Sequence, residues 1–133
     1  MSHQEKILDF KVYCYSHDSN TSAILDYLLD LIKDNPDLAR KSINSLSNLP
    51  KKYYEFSDIK ILKIYDKSFY ELRVKSGNNI CRFSFVIQEP NFIILLGFTK
   101  KTQKTEPKHL KQTYQNYLDY KQNQYSISFD SLF

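Results

Sequence analysis

The sequence predicts a single α+β domain with a small antiparallel sheet of about four strands, an N-terminal helical hairpin and a C-terminal helix. Three observations predict this class. Apolar residues recur at helical spacing over residues 22–49, apolar and polar residues alternate over residues 69–76, and residues 92–99 (FIILLGFT) form an apolar segment. With 133 residues, of which 41% are hydrophobic, the chain has the size and composition of one folded domain.

The first elements are a strand and two helices. Residues 7–16 are rich in β-branched, aromatic and aliphatic side chains, which favour a strand. Polar residues at 18–22 can cap a helix that runs over about 22–34. Pro36 then suits the first position of a second helix, which stops at Pro50. We therefore expect a helical hairpin after the first strand.

A three-stranded meander is expected after the mixed segment 53–65. Residues 69–76 alternate as a half-buried strand does, and a turn at Gly77 leads into a return strand over residues 80–87. Residues 92–99 follow as a central strand that is covered on both faces. The first strand is expected to join this meander, which brings the sheet to about four strands.

The chain is expected to end with a helix and a short tail, so that one domain spans residues 1–133. Residues 106–121 carry an apolar stripe at helical spacing, which is more typical of core packing than of base stacking: Leu110, Tyr114, Tyr117 and Leu118. The tail, residues 122–133, alternates weakly and is predicted to be either an edge strand or disordered.

Several classes of function are excluded by what the sequence lacks. Cys14 and Cys81 are far apart and the three histidines are scattered, so neither a disulfide framework nor a metal site is expected. The sequence has no glycine-rich phosphate loop and no Gly-x-Ser-x-Gly motif. The longest apolar run, residues 92–98, is too short to cross a membrane, and the N-terminus does not look like a signal peptide. We therefore expect a soluble cytoplasmic protein without a cofactor.

The excess positive charge is concentrated in one segment. The net charge is +4, and five lysines lie close together beside the single acid Glu106: Lys100, Lys101, Lys104, Lys108 and Lys111. Such a segment is either an anion-attracting patch or the solvated start of a helix.

Two of the three arginines are predicted to face each other across the hairpin. A turn centred on Gly77-Asn78 places Arg73 opposite Arg82, and like charges directly opposite on a sheet are unfavourable. The pair therefore needs either Glu71 between its members, as a salt-bridged surface cluster, or an anionic ligand above them, which arginine binds through its bidentate fork. Continuing the same register places Arg82 beside Gly97, which would leave room for the arginine.

The same residues resemble a known family. Residues 70–77 (YELRVKSG), Arg82 and residues 96–105 (LGFTKKTQKT) resemble, in this order, the Gp49-like branch of HigB-type toxins in the RelE/ParE superfamily. The resemblance covers residues 60–121 closely. It implies a RelE/ParE-like fold, with a small twisted antiparallel sheet and helices on one side.

The resemblance also implies ribosome-dependent, metal-independent cleavage of messenger RNA by a toxin that a helix-turn-helix (HigA-type) antitoxin holds in check. A set of catalytic cations would bind the scissile phosphate and stabilise its transition state: Arg73, Arg82, Lys75, Lys101 and Lys104. Further lysines would bind RNA and the ribosome: Lys60, Lys63, Lys100, Lys108 and Lys111. The general base stays open, since His109 is interpreted as an exposed helix residue and the tyrosines are numerous.

Two other functions stay open at this point. The chain can be a non-enzymatic, ParE-like inhibitor that binds a protein target such as gyrase, because one fold can host different functions. It can also be a degenerate module that only binds its antitoxin or RNA.

Overall fold

The computed structural model describes residues 11–52, 59–100, 106–130 and 133, and its α+β architecture confirms the predicted class. The first half contains a strand, the helical hairpin, a short third helix and an edge strand: β1 (Lys11–Tyr15), α1 (Ala23–Asp34), α2 (Pro36–Ser47), α3 (Leu49–Lys52) and β2 (Ile59–Ile64). The second half contains the meander, the long helix and a last short strand: β3 (Lys67–Ser76), β4 (Asn79–Gln88), β5 (Asn91–Lys100), α4 (Pro107–Asn123) and β6 (Ser126–Ser128).

The sheet is larger than predicted and is mixed instead of antiparallel. It has six strands in the order β2-β3-β4-β5-β1-β6, and β1 runs parallel to β5. The prediction of about four antiparallel strands was therefore wrong. It missed β2 because Lys60 and Lys63 interrupt its apolar residues, and a strand at the edge of a sheet tolerates such charges. The tail contributes β6, as the edge-strand alternative predicted.

The helices cover both faces of the sheet, whereas the resemblance implied that they lie on one side. α1 and α2 pack on one face, over Leu72, Phe83 and other buried residues of β1 and β3–β5. α4 packs on the opposite face, where Tyr120 joins a second core with Ile93. The second layer is needed because β5 is apolar towards both faces, and a surface of that kind is stable only when it is covered.

Local signals set the ends of the helices. Pro36 stands at the first position of α2, and the Asn35 side chain accepts a hydrogen bond of 3.2 Å from the Leu38 N–H. Pro50 does not end this helix, since α2 ends at Ser47 and Pro50 lies inside the short helix α3. In α4 the apolar stripe is only partly buried, because Leu118 faces solvent.

Candidate functional site

The hairpin of β3 and β4 brings two arginines together at one end of the sheet. Arg73 and Arg82 are Cα partners across these strands, as the turn at Gly77 predicts. Gly77 has a φ of +60°, a conformation that glycine adopts without strain. In the same register, Glu71 is the Cα partner of Ser84. Strand alternation places Glu71, Arg73, Arg82 and Ser84 on the face that α4 covers.

Arg82 forms a buried ion pair with Glu71. The Arg82 Nη1 atom lies 3.2 Å from the Glu71 Oε1 atom, and neither side chain is exposed to solvent. The sequence predicted a carboxylate between the arginines as one of two solutions, but it placed the cluster at the surface. Both side chains lie on the face of the sheet against which α4 packs, and the charge of Arg82 is compensated inside the protein.

α4 contacts this end of the sheet through polar side chains. Thr113 shares a hydrogen bond of 2.8 Å with Ser84, and the Asn116 Nδ2 atom donates one of 2.8 Å to the carbonyl oxygen of Leu95. His109 stacks on Phe98, with ring centroids 3.7 Å apart and planes at 7°. The α4 residues that face the sheet recur at helical spacing: His109, Thr113, Asn116 and Tyr120. The sequence therefore already contained the signal for a polar face of α4 towards the sheet.

The interpretation of His109 as an exposed helix residue was wrong. Its side chain is 20% exposed, and Phe98, on which the imidazole stacks, is the Cα partner of Arg82. The His109 Nδ1 atom lies 4.0 Å from the Glu106 Oε1 atom. α4 therefore holds His109 against Phe98, the cross-strand neighbour of Arg82, and sequence reasoning missed this placement.

Gly97 does not lie beside Arg82, because the register of β4 and β5 shifts. A β-bulge or irregularity lies between Ser84 and Phe85, so Arg82 is paired with Phe98, and Gly97 with Phe83. A Cβ atom at Gly97 would lie 2.9 Å from the Phe83 Cε1 atom and 3.1 Å from the Tyr27 Cδ2 atom. Gly97 thus makes room for an aromatic pair on the face covered by α1 and α2.

Arg73 remains the cation of the pair that is not fully buried. Its side chain is half-buried, and its Nε atom is buried without a hydrogen-bond partner among the described residues. Guanidinium groups in such settings prefer anions that accept two hydrogen bonds. Arg73 is therefore the member of the pair that the geometry leaves able to receive a ligand.

The predicted lysines do not all gather around the arginines. Lys75 is exposed on β3, two residues from Arg73 and on the same face, and Lys60 is the Cα partner of Glu71. Lys63 is paired with Ser68 and therefore points to the opposite face. The remaining lysines follow the end of β5 or lie at the start of α4. Lys100 ends β5, Lys108 and Lys111 are exposed on α4, and Lys101 and Lys104 lie outside the described residues.

The cysteines belong to the core. Cys14 and Cys81 are free and buried, and Cys81 shares the apolar face of β4 with Phe83. Burial raises the pKa of Cys14 to about 12, and burial likewise raises the pKa of Cys81. The Tyr27 hydroxyl donates a hydrogen bond of 3.1 Å to the Cys81 Sγ atom, and burial also raises the pKa of Tyr27. Both thiols are therefore structural.

Within the described ranges, no group of three or more His, Cys, Asp or Glu side chains is arranged to hold a metal ion. In the same part of the chain, no helix is long and apolar enough to cross a membrane.

The fold defines a small α+β domain that places an arginine pair at the end of a β-hairpin, beneath its last helix. A family model described as phage-derived protein Gp49-like (DUF891) matches residues 18–118 of the chain. The chain therefore belongs to the Gp49-like family, a toxin-like family of the RelE/HigB type. No curated protein and no solved structure matches the chain significantly.

Proposed function

We propose that the protein is the toxin of a type II toxin–antitoxin system and cleaves messenger RNA on the ribosome. Its family points to a toxin with an antitoxin partner. The observation that carries the nuclease activity is the unequal arginine pair: Arg82 is fully buried and paired with Glu71, whereas the side chain of Arg73 is only half-buried. A phosphate diester supplies the anionic oxygens that such a guanidinium binds.

The reaction needs proton transfer and charge stabilisation but no metal ion in this proposal. The ribose 2′-oxygen attacks the adjacent phosphorus, a 2′,3′-cyclic phosphate forms, and the bond from phosphorus to the 5′-oxygen breaks. The proton of the 2′-hydroxyl passes to a base, and the leaving 5′-oxygen takes a proton from an acid. Arg73 binds the phosphate oxygens and stabilises the charge that develops on them in the transition state.

Arg82 acts as a positioning residue in this arrangement. Its buried ion pair fixes Glu71 and the end of the hairpin, and the charge of Arg82 lies directly across the strands from Arg73. Lys75 adds positive charge at the surface, and we propose the same for Lys101 and Lys104. Five further lysines, at positions 60, 63, 100, 108 and 111, are proposed to contact RNA or the ribosome. Their attraction to the phosphates is electrostatic and independent of sequence.

His109 is the proposed proton-transfer group. Histidine changes its protonation near neutral pH and serves as a general acid or base in many enzymes. Stacking fixes the plane of the imidazole on Phe98, which is the Cα partner of Arg82. A fixed ring transfers protons at a defined position, which is why we prefer His109 to a lysine or a tyrosine.

The antitoxin is proposed to be a helix-turn-helix protein of the HigA type. It can neutralise the toxin by occluding the cationic surface or by blocking entry into the ribosome. Acidic segments suit the first route, because they complement a cationic surface.

The test is a reconstituted translation reaction in which the ends of the message are mapped by primer extension. The wild-type protein is expected to cut translated message and to leave naked RNA intact. Arg73→Ala is expected to lower cleavage by about 10²–10³-fold, as the loss of one charge-stabilising donor does. Lys121→Ala, which removes an exposed cation near the far end of α4, is the matched control and should cleave as the wild type does.

The second candidate function is a non-enzymatic inhibitor that binds a protein target. The observation that favours it is the burial of Arg82, since only one member of the pair is left able to meet a phosphate. Folded protein that leaves translated message intact but inhibits gyrase supercoiling would replace the nuclease proposal with this one.

A further inference from the structure

A polar cleft lies between α2 and the end of β3. The pairing of β2 with β3 ends at Leu72. Among the described residues, positions 73–76 of β3 pair only with β4. The cleft has a volume of about 320 Å³, close to the lower limit of ligand pockets in general. α2 and β3 each contribute four lining residues: Arg40, Lys41, Asn44, Ser45, Leu72, Arg73, Val74 and Lys75.

The cleft is strongly cationic. Two basic residues come from α2 and two from β3: Arg40, Lys41, Arg73 and Lys75. Asp37 is the acid beside them, with its carboxylate 2.6 Å from the Arg40 Nη2 atom and 3.5 Å from the Lys41 Nζ atom. Among the described residues, Asp37 pairs only with the two cations of α2, because strand alternation directs Arg73 and Lys75 towards the opposite face of β3. With four basic residues and this one acid, the cleft keeps an excess of positive charge.

Asp37 ties the cationic rim to β3. The Ser76 hydroxyl donates a hydrogen bond to this carboxylate, and this bond, with that from Arg40, lowers the pKa of Asp37 to about 2. The carboxylate is therefore charged at neutral pH and holds Arg40 and Lys41 near the end of β3. The arrangement orients two flexible side chains that would otherwise move freely.

We propose that this cleft binds a phosphodiester of single-stranded RNA next to the phosphate that Arg73 holds. The inference rests on the proposed function, because it assigns the neighbouring part of the same substrate. Arg73 belongs both to the cleft and to the arginine pair, and phosphates recur at every nucleotide, so a strand held at Arg73 extends into the cleft. Asn44 and Ser45 add polar groups that can contact phosphate or ribose oxygens.

The experiment measures binding separately from cleavage. A fluorescein-labelled, 2′-O-methylated single-stranded RNA cannot be cleaved by 2′-oxygen attack, and its anisotropy reports binding over a series of salt concentrations. The test variant is Arg40→Gln/Lys41→Gln, and the control of equal charge is Lys33→Gln/Lys121→Gln, at the exposed last turns of α1 and α4. Thermal unfolding of each variant confirms that it is folded.

The expected result is a change in salt dependence that only the cleft variant shows. Losing the neutralisation of one phosphate lowers the magnitude of the slope of log K against log salt by about 0.7, and the affinity at 0.1 M salt by roughly 5-fold.

Equal slopes for the cleft variant and its control overturn the inference, whether or not the protein cleaves message. A lowered slope in a protein that leaves translated message intact supports the cleft and contradicts the proposed nuclease activity. Failure of the wild-type protein to bind this RNA, while an acidic peptide binds with the same dependence on Arg40 and Lys41, overturns the RNA assignment.

Discussion

Arg82 and Glu71 lie on neighbouring strands and form an ion pair from which solvent is excluded on all sides. The distance from the Arg82 Nη1 atom to the Glu71 Oε1 atom is 3.2 Å, and both side chains are 0% exposed. Removing one partner of such a pair is costly, because the remaining charge stays buried without its counter-charge. Arg82 therefore serves the stability of this end of the sheet as well as the site beside it.

The first prediction concerns the stability of this ion pair. Arg82→Leu is expected to lower the free energy of unfolding by about 3–5 kcal/mol, measured by urea denaturation. The double variant Arg82→Leu/Glu71→Leu is expected to recover most of this loss, because it removes both charges. The exposed ion pair of Arg40 and Asp37 provides the control, since Arg40→Leu should cost less than about 1 kcal/mol.

A double variant as unstable as Arg82→Leu alone would contradict this account. The loss of stability also affects the activity of Arg82 variants. Loss of toxicity in Arg82→Ala can follow from unfolding, whereas Arg73 is half-buried and its variants test the phosphate site more directly.

The second prediction concerns the space at Gly97. Gly97→Ala brings a Cβ atom to 2.9 Å from the Phe83 Cε1 atom, and Phe83 is fully buried, so its ring has little room to move. We expect a loss of about 1–3 kcal/mol in the free energy of unfolding. A double-mutant cycle with Phe83→Leu should show that the smaller side chain relieves part of this loss.

Gly77 is the contrasting position, because nothing lies within 4 Å of a Cβ atom there and only its φ of +60° restricts the residue. Gly77→Asn is expected to cost less than Gly97→Ala, since asparagine tolerates the left-handed region. If Gly97→Ala is neutral in urea denaturation, the contact with Phe83 does not limit this site.

The third prediction is a loss of stability at alkaline pH. Burial raises the pKa of Cys14 from 9.0 to about 12. Between these values the unfolded chain releases the thiol proton and the folded chain keeps it, so the free energy of unfolding falls as the pH rises. The expected slope is at most about 1.4 kcal/mol per pH unit for this one group.

Urea denaturation at pH 8, 9.5 and 11 measures this dependence, and Cys14→Ala should reduce the slope above pH 9. Tyr15, Tyr27 and Tyr120 also have raised pKa values, mainly through burial, and add to the slope above pH 10 in both proteins. The comparison of the two slopes therefore isolates Cys14, and identical slopes would refute its contribution.

The hairpin register was predictable from the sequence because a short turn fixes it. Gly77 defines the turn, and every pair from Arg73 and Arg82 outward follows from it. The next register was not predictable in the same way. The irregularity between Ser84 and Phe85 shifts the partners by one residue, and no residue type in the sequence marks it.

The burial of the arginine site could not be predicted from the sequence either. Alternation placed Arg82 on a polar face of its strand, which is typical of solvent exposure, but the same face carries Ile93 and Leu95 on β5. Those apolar residues require a cover, which α4 supplies, and Arg82 is fully buried on the same face of the sheet. The burial of Arg82 thus depends on residues of the neighbouring strand β5. Periodicity within a single strand carries no information about them.

The last prediction concerns His109. His109→Phe keeps an aromatic ring that can stack on Phe98, so the variant should retain the fold of the site. It removes both ring nitrogens, and cleavage of translated message is expected to fall by about 10²–10⁴-fold, the usual contribution of a general acid or base. Primer extension in the reconstituted translation system measures the change, with Lys121→Ala as the control. Cleavage within a few-fold of the wild type would show that His109 only packs against Phe98, and would move the proton transfer to a lysine or a tyrosine.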